Sequence, residues 1–225
     1  MRLDKYLTEC GLGSRSVVKK ILKNREIRVN GKIESSPKLN ITDKDEVLYQ
    51  EEKIEYKEFR YYILNKPAGY ITATEDHRDK TVMDILPEWV VQKNLFPVGR
   101  LDKDTEGLLL FTNDGPLSHD LLSPKKHVDK TYYVELENSI NDEDIRKIES
   151  GIDIGGYITK PSKCKKIDDN KINLTISEGR FHQVKKMMHG IKNNVTYLKR
   201  VKFANLTLGD LEIGQVIEVN REDII

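Results

Sequence analysis

The feature that most constrains this chain is the junction within residues 99–115, GRLDKDTEGLLLFTNDG, between a dense charge cluster and an apolar run. Asp102, Asp104 and Glu106 are interleaved with cations, and the four apolar residues LLLF follow almost at once. A short apolar run bounded by turn residues is typical of a buried strand. The chain must therefore hold a carboxylate cluster directly at the end of a buried strand, where a reactive group would have rigid support.

The chemistry of this cluster leaves several interpretations. Asp102 and Asp104 resemble a glycosidase pair, which requires carboxylates about 5–9 Å apart, but few aromatic residues lie nearby to hold a sugar. An Asp-x-Asp metal site lacks ligands, because His182 and His189 stand seven residues apart in a basic segment. We therefore expect no metal. A solvated turn remains possible on pattern alone, as does a single ionised carboxylate that acts as a nucleophile.

The net charge is only +1, but the cations are concentrated in two basic segments. Residues 1–32 hold nine Lys and Arg against three acids, and residues 163–202 hold eleven against three. Clustered cations gain affinity for polyanions by releasing counterions. The pattern therefore favours a nucleic-acid partner over two merely solvated surfaces.

The 225 residues allow one large domain, or a small domain and a medium one. No apolar run approaches the roughly 18–20 residues of a membrane span, and the N-terminus lacks the apolar core of a signal peptide. Cys10 and Cys164 suggest neither a disulfide framework nor a metal pair. We expect a cytoplasmic protein with no membrane contact.

The first basic segment has the pattern of a small helix–helix–hairpin module. Leu3 and Leu7 stand four residues apart, and the GLG that follows ends their helix. Asn30-Gly31, between alternating residues, is a strong hairpin signal. The second helix carries an apolar stripe of Val17, Val18, Ile21 and Leu22. We predict a domain at residues 1–50, and a linker at 51–58, where EEKIEYKE has charge without strong periodicity.

Residues 59–225 form the second predicted domain, of mixed α+β class. The segments RYYILNKP, LLLFT, KTYYVELE and KINLTIS read as strands, and INDEDIRKIESG and GRFHQVKKMMHGI as helices. The second helix would place Phe181, Val184 and Met188 on one face. Because strands outnumber helices and do not alternate regularly with them, a mainly antiparallel sheet is favoured over a doubly wound one.

The N-terminal module, entered by MRLDKYL and carrying GSRSVVKKILKNREIRVNGK, resembles the S4 RNA-binding domain over about residues 1–48. The resemblance implies binding of structured RNA through phosphates and shape, and no chemistry. The cations expected to contact RNA are Arg2, Lys5, Arg15, Lys19, Lys20, Lys23 and Arg28.

Four ordered segments of the second domain resemble the pseudouridine synthases that modify ribosomal RNA. They are LNKPAGY, GRLDKDTEGLLLFTNDG, KTYYV and EGRFHQVKKM. The resemblance implies a pseudouridine synthase fold and the isomerisation of a uridine, with no cofactor. Within that superfamily, MRLDK, KTYYV and TISEGRFHQVKKM look most like the enzymes of the small ribosomal subunit.

The resemblance implies three catalytic residues. Asp102 matches the required aspartate, Tyr132 matches a tyrosine that stacks on the base and could take a proton, and Lys185 matches the basic partner of the aspartate. Most branches of the superfamily carry arginine where this chain has Lys185. Attack of Asp102 on the ribose and a glycal intermediate both stay open.

The resemblance also implies four substrate-binding residues. Leu198 matches an apolar residue under the target base, and Arg100 matches an arginine that helps to hold or replace the flipped nucleotide. Arg180 and His182 are expected to face RNA or to be structural. One departure is Ala204-Asn205, where the family commonly has glycine.

The expected function is conversion of one uridine of small-subunit (16S) ribosomal RNA to pseudouridine by base flipping, glycosidic cleavage and C–C reattachment. The expected partner is that RNA or an assembly intermediate of the subunit, and the expected state is a monomer. Three alternatives stay open: a synthase for large-subunit (23S) RNA, a non-catalytic RNA-binding protein of ribosome assembly, and a glycosidase of free nucleosides.

Overall fold

A computed structural model describes residues 1–90 and 94–225 of the chain, which form two compact units. The first unit comprises Met1–Arg60 and Pro87–Leu95, and the second comprises Tyr61–Leu86 and Phe96–Ile225. None of the described helices has both the length and the apolar character that a membrane crossing requires. The predicted boundaries at residues 50 and 59 stay predictions.

The first unit contains the predicted helix–helix–hairpin module. Its elements are α1 (Leu3–Glu9), α2 (Arg15–Lys23), β1 (Ile27–Val29), β2 (Lys32–Ile33), β3 (Val47–Tyr49) and β4 (Glu52–Lys53). The four strands form an antiparallel sheet in the order β2-β1-β3-β4. Asn30 and Gly31 both take positive φ, 50° and 78°, as the tight β1–β2 turn requires.

Two details of this unit differ from the prediction. Val17 is 43% exposed, so the buried stripe of α2 consists of Val18, Ile21 and Leu22 alone. Part of the predicted linker is paired, because Glu52–Lys53 forms β4 against β3. Charge without periodicity did not reveal a strand of only two residues.

The second unit is built on one large sheet. Its strands are β5 (Tyr61–Lys66), β6 (Phe96–Val98), β7 (Glu106–Thr112), β8 (Lys130–Leu136), β9 (Lys163–Asp168), β10 (Lys171–Ile176), β11 (Val195–Phe203), β12 (Leu206–Thr207) and β13 (Val216–Glu218). Its helices are α3 (Gly115–Leu122), α4 (Asp142–Ser150), α5 (Gln183–Gly190), α6 (Arg221–Ile224) and a 3₁₀ turn (Val82–Ile85).

The sheet order is β13-β5-β7-β11-β8-β10-β9, with β6 on β7 and β12 on β11. The β7–β11 pair is parallel and the other pairs formed by described residues are antiparallel. The predicted mixed, mainly antiparallel α+β class is confirmed. The four predicted strand segments, which form β5, β7, β8 and β10, and the α4 segment also lie where they were predicted.

Strand β7 explains the junction in the sequence. Every residue from Gly107 to Thr112 is buried, and Leu108 and Leu110 join a core with Tyr61, Val98 and other apolar residues of the unit. The charge cluster therefore lies at the entry of a deeply buried strand. An anchored strand of this kind fixes the loop that precedes it.

Gly107 is required where β7 meets β11. Its φ is 105°, and a Cβ atom there would lie 2.2 Å from the backbone oxygen of Arg200. Arg200 is its register partner in the parallel pair. Only glycine permits both this conformation and this approach of the two backbones.

The departure at Ala204-Asn205 falls in the two-residue turn between β11 and β12, where Phe203 pairs with Leu206. Ala204 takes a φ of 52°, a left-handed conformation that favours glycine. The chain therefore keeps the turn and accepts a strained alanine in it.

Candidate active site

A cavity of about 910 Å³ in the second unit contains all seven residues that the sequence predicted for catalysis and substrate binding. They are Arg100, Asp102, Tyr132, Arg180, His182, Lys185 and Leu198. Strands β8 and β11 supply Tyr132 and Leu198, the loop before β7 supplies Asp102, and α5 supplies Lys185. Residues far apart in the sequence thus meet around one space.

Lys66 holds the loop that carries Asp102. Its side chain is completely buried at the end of β5, and its Nζ donates to the carbonyl oxygens of Pro67, Asp102, Lys103 and Thr105 at 2.8–3.4 Å. Burial lowers the pKa of Lys66 to about 8. The lysine is therefore still protonated near neutral pH, with its hydrogen atoms directed at the loop backbone.

Further hydrogen bonds fix the same loop. The Thr72 hydroxyl donates to the Leu101 carbonyl at 2.8 Å and lies 3.1 Å from the Leu101 amide. The amide of Gly69 donates to the Lys103 carbonyl at 2.7 Å. Asp102 therefore sits on a backbone that is held from both sides.

Lys185 faces two carboxylates. Its Nζ lies 3.1 Å from Asp102 Oδ2, and 2.6 and 2.9 Å from the two oxygens of Asp104. The side chains of Lys185 and Asp102 are 27% and 28% exposed, whereas that of Asp104 is 72% exposed. The predicted contact between Lys185 and Asp102 is present, and a second carboxylate shares the ammonium.

The charges of this cluster stabilise one another. Partial burial alone would lower the pKa of Lys185, but hydrogen bonds and attraction from Asp104 and Asp102 outweigh it and raise that pKa. The hydrogen bond from Lys185 holds the pKa of Asp104 below its usual value. Lys185 is thus cationic and Asp104 anionic at neutral pH.

His182 approaches Asp102 from the other side, with Nε2 3.5 Å from Oδ1. It is the N-cap of α5 and takes left-handed backbone angles, φ 53° and ψ 33°. The prediction that Phe181 shares a helical face with Val184 and Met188 is wrong, because the helix begins only at Gln183. Phe181 is 68% exposed and its ring stacks on His182 at 3.8 Å.

Glu178 organises the turn that leads into α5. This carboxylate is 7% exposed and accepts hydrogen bonds from the Tyr157 hydroxyl, the Lys160 amide and the Gln183 side chain. Arg180 stacks on Tyr157, with Cζ 3.3 Å from the ring centroid. Arg180 is therefore held at the cavity by a structural contact and keeps its charge half exposed.

Tyr132 and Leu198 form the apolar floor. Both are almost fully buried, at 8% and 6% exposure, and lie on the adjacent strands β8 and β11. Tyr132 is the inward residue of its pair and Tyr133 the outer one, because β8 alternates buried and half-buried positions. A planar ring beside an apolar side chain is a suitable surface for a flat base.

Glu106 has a partner outside the cavity lining. It accepts a hydrogen bond from the Tyr197 hydroxyl at 2.5 Å, and burial, reinforced by this bond, raises the pKa of Tyr197. Of the three acids in the cluster, Asp102 alone lines the cavity. The carboxylates therefore differ in what they contact.

The predicted RNA-binding cations lie in the first unit. All are exposed except Arg28, which is half buried. Arg2 pairs with Asp4 at 2.6 Å and Arg28 pairs with Glu51 at 2.8 Å. Surface ion pairs of this kind contribute little to stability, so they do not prevent these arginines from contacting RNA. Lys19 and Lys23 line a groove that also contains Arg25, a cation absent from the prediction.

Sequence reasoning missed Lys66, Lys130, Glu178 and Arg200 and gave Asp104 only a local role. The signal for Lys66, Lys130 and Glu178 was present, because they lie inside the matched segments LNKPAGY, KTYYV and EGRFHQVKKM. Burial distinguishes these four from surface charges. The assembled site holds the Asp102 carboxylate between Lys185 and His182, beside an apolar floor, an arrangement suited to nucleophilic or electrostatic attack on a bound base or sugar.

Comparisons with known proteins agree with this geometry. Residues 60–190 match the family model described as RNA pseudouridylate synthase, and residues 1–47 match that of the S4 domain. An uncharacterized RNA pseudouridine synthase of Bacillus subtilis is 46% identical over 231 residues, which cover 100% of this chain and 97% of that protein.

Two relatives have named substrates. Ribosomal small subunit pseudouridine synthase A of Escherichia coli is 36% identical, with 100% of this chain and 98% of that protein covered. Ribosomal large subunit pseudouridine synthase B of Bacillus subtilis is 35% identical, with 99% and 93% covered. A crystal structure of a pseudouridylate synthase superposes with a TM-score of 0.69 at 35% identity and covers 100% of this chain and 98% of that one.

Proposed function

The chain belongs to the RNA pseudouridylate synthase family, and on that premise we propose that it converts a uridine of small-subunit ribosomal RNA into pseudouridine. The observation that carries this proposal is the Asp102–Lys185 pair at 3.1 Å on the wall of a cavity floored by Tyr132 and Leu198. A cavity of about 910 Å³ is large enough for a nucleotide.

The target uridine enters the cavity by flipping out of its helix, because an enzyme cannot reach the glycosidic bond of a stacked base. Its ring lies on the floor formed by Tyr132 and Leu198. Arg100 and Arg180 hold the neighbouring backbone or fill the vacated position, and His182 faces the ribose beside Asp102. These four residues are substrate-binding in this proposal.

Asp102 begins the reaction in one of two ways. It attacks C1′ and displaces the base, or it promotes loss of the C2′ proton as the C1′–N1 bond breaks and a glycal forms. In both routes the electron pair of the broken bond leaves with the uracil. Lys185 keeps the carboxylate oriented, and exclusion of water strengthens their attraction.

The second half of the reaction joins C5 of the rotated uracil to C1′; in the attack route the C1′–O bond to Asp102 breaks as this bond forms, and the carboxylate is restored. The C5 proton is then removed, with Tyr132 as the base, and N1 gains a proton, so that atoms and charge balance over the whole isomerisation. In the glycal route C2′ also regains its proton. No oxidation, phosphate activation or group donor is needed, and the reaction as written uses no cofactor.

RNA binding by the first unit supports the same function. Lys5, Arg15, Lys19, Lys20 and Lys23 are exposed cations of a domain that matches the S4 model. Arg2 and Arg28 complete the proposed phosphate contacts by exchanging their carboxylate partners. We propose a monomer that acts on the RNA or on an assembly intermediate of the small subunit.

Large-subunit RNA is the second candidate substrate, because a large-subunit synthase is 35% identical over nearly the whole chain. The deciding experiment incubates purified protein with 16S and 23S RNA transcripts, free and bound to ribosomal proteins, and maps pseudouridines chemically. A single new pseudouridine in 16S RNA supports the proposal. A site in 23S RNA alone would move the substrate to the large subunit, and RNA binding without any product would indicate a non-catalytic protein.

A further inference from the structure

Two buried cations lie at the floor of the cavity without a carboxylate partner. Lys130 is 8% exposed and Arg200 is 2% exposed, and both line the cavity that holds Asp102. Within the described part of the chain, neither forms an ion pair within 4.0 Å. Buried charges in proteins are normally paired.

The contacts of these cations leave hydrogen atoms unused. Lys130 Nζ donates to the carbonyl of Val128 at 2.9 Å, and Arg200 Nε donates to the carbonyl of Leu108 at 2.8 Å. Arg200 Nη2 is buried with no hydrogen-bond partner among the described residues. Both cations also lie about 5 Å from the Phe203 ring, at 5.4 and 5.0 Å from its centroid. The site thus offers positive charge and free donors.

Both side chains lie beside Tyr132, the residue proposed to stack on the uracil. Arg200 stands directly opposite Tyr132 in the β11–β8 register, and Lys130 lies two residues before Tyr132 on the same face of β8. Burial and repulsion by Arg200 lower the pKa of Lys130 to about 8 against attraction from Asp129. An anion in the cavity would relieve this repulsion.

We propose that Lys130 and Arg200 form an anion site for the carbonyl oxygens of the detached uracil. The inference rests on the proposed function and deepens it. When the C1′–N1 bond breaks, its electron pair leaves with the base, and the uracil becomes a monoanion whose charge is shared by N1, O2 and O4. Donors placed where charge develops stabilise the transition state more than the ground state.

The same two cations retain the free base while it turns. The uracil has no covalent bond to the RNA between cleavage at N1 and bond formation at C5, so only non-covalent contacts prevent its escape. When C5 bonds to C1′ and N1 regains a proton, the negative charge disappears and the attraction weakens. Lys130 and Arg200 therefore belong to the catalytic residues of the proposed reaction.

The test compares single-turnover rates at saturating RNA for wild type, Lys130→Met and Arg200→Met. Methionine fills similar space without a charge. We expect each variant to slow glycosidic cleavage by roughly 10²–10³-fold, the loss typical for one donor at a developing anion. RNA affinity should stay within a few-fold of wild type. Lys147→Met, an exposed lysine on α4, is the matched control and should keep the wild-type rate.

A second substrate separates this role from a structural one. Fluorine at C5 withdraws electrons and stabilises the uracil anion, so RNA with 5-fluorouridine at the target needs less help from cations. Consumption of N-linked 5-fluorouridine reports cleavage in digested RNA. The rate deficits of Lys130→Met and Arg200→Met should be clearly smaller on this RNA than on uridine RNA. A misfolded variant would lose activity on both RNAs to the same extent. If Arg200→Met does not fold, Lys130→Met alone still tests the proposal.

The outcomes are distinct. Equal deficits on both RNAs in variants that unfold at the wild-type temperature would overturn the anion site. Loss of RNA affinity with an unchanged saturated rate would also overturn it and identify a phosphate-binding pair. Wild-type rates in both variants would overturn this inference alone. Wild-type protein that forms no pseudouridine on any ribosomal RNA would overturn the proposed function, and this inference with it.

Discussion

The ammonium of Lys185 donates to both carboxylate oxygens of Asp104, at 2.6 and 2.9 Å, and so lies closer to this exposed acid than to Asp102. The two neighbouring acids therefore have different positions relative to Lys185. Asp102 faces the cavity, whereas Asp104 holds Lys185 from the solvent side.

Asp104→Asn should therefore reduce activity only moderately, by about fivefold or less, because one interaction with an exposed partner contributes roughly 0–1 kcal/mol. Lys185 keeps its contact with Asp102 in this variant. Single-turnover rates at saturating RNA measure the effect. A loss as complete as that expected for Asp102→Asn would show that Asp104 takes part in the chemistry.

The same pair predicts a pH dependence of stability. Lys185 lowers the pKa of folded Asp104 below the unfolded value of 3.8, so its contribution is present above pH 3.8 and is lost as the pH falls through the folded pKa. The difference in unfolding free energy between wild type and Asp104→Asn should be constant near neutral pH and shrink in acid. Denaturant titrations at several pH values test this. A difference that grows in acid would contradict the direction of the shift.

Lys66→Met should destabilise the second unit and inactivate it. Four carbonyl oxygens lose a common donor. Those of Lys103 and Asp102 keep the amides of Gly69 and Thr105, and any buried carbonyl left unsatisfied costs about 1–3 kcal/mol. The loop carrying Asp102 should also become more mobile, which hydrogen exchange at Lys103 and Thr105 would reveal. Lys147→Met is an exposed control. Unchanged exchange in the loop would show that Lys66 does not hold it.

Gly107→Ala should destabilise the second unit by several kcal/mol. The added methyl meets the Arg200 backbone at 2.2 Å and the φ of 105° strains an alanine, two effects of about 1–3 kcal/mol each. Gly115→Ala is the control, because a Cβ there has no neighbour within 4 Å and no positive φ. Equal unfolding free energies for the two variants would contradict the close approach of β7 and β11.

Ala204→Gly should stabilise the chain by about 0.5–1 kcal/mol. Left-handed backbone costs alanine about 1–2 kcal/mol, and this relief exceeds the extra chain entropy of glycine, about 0.5–1 kcal/mol. Ala204→Val should have the opposite effect, because a branched side chain is still less suited to positive φ. Thermal unfolding of both variants is the measurement. A lower stability for the glycine variant would show that the turn carries no strain.

Local patterns predicted α4 and the strands β5, β7, β8 and β10 because each has a clear period and clear end signals, whereas β9, β11 and α3 were not predicted. The turn GRFHQ escaped prediction, since Phe181 has helical spacing to Val184 although His182 takes a left-handed conformation that starts the helix later. The spacing of apolar residues cannot reveal the backbone conformation of one residue. The two-residue strand at Glu52–Lys53 escaped for a similar reason, being too short to show alternation.

The site was predictable as far as the matched motifs reached. Asp102, Tyr132 and Lys185 were identified from those motifs and share a cavity. Arg200 lies outside those motifs, and Lys130, although it begins KTYYV, was given no role, because charge in the sequence does not report burial. A lysine before TYY on a strand and an arginine in a basic segment look solvated until the sheet brings them together beneath the cavity.

In the proposed reaction Asp102 is the indispensable catalytic group, whereas most of the RNA affinity comes from phosphate contacts elsewhere in the chain. Single-turnover pseudouridine formation on ribosomal RNA should be measured for wild type, Asp102→Asn and Asp104→Asn, with RNA affinity determined in parallel. Asparagine keeps the shape of aspartate but loses its charge and nucleophilicity. We predict no detectable product from Asp102→Asn at near wild-type RNA affinity, and clear product from Asp104→Asn. Turnover by Asp102→Asn at a rate near that of wild type would contradict the account.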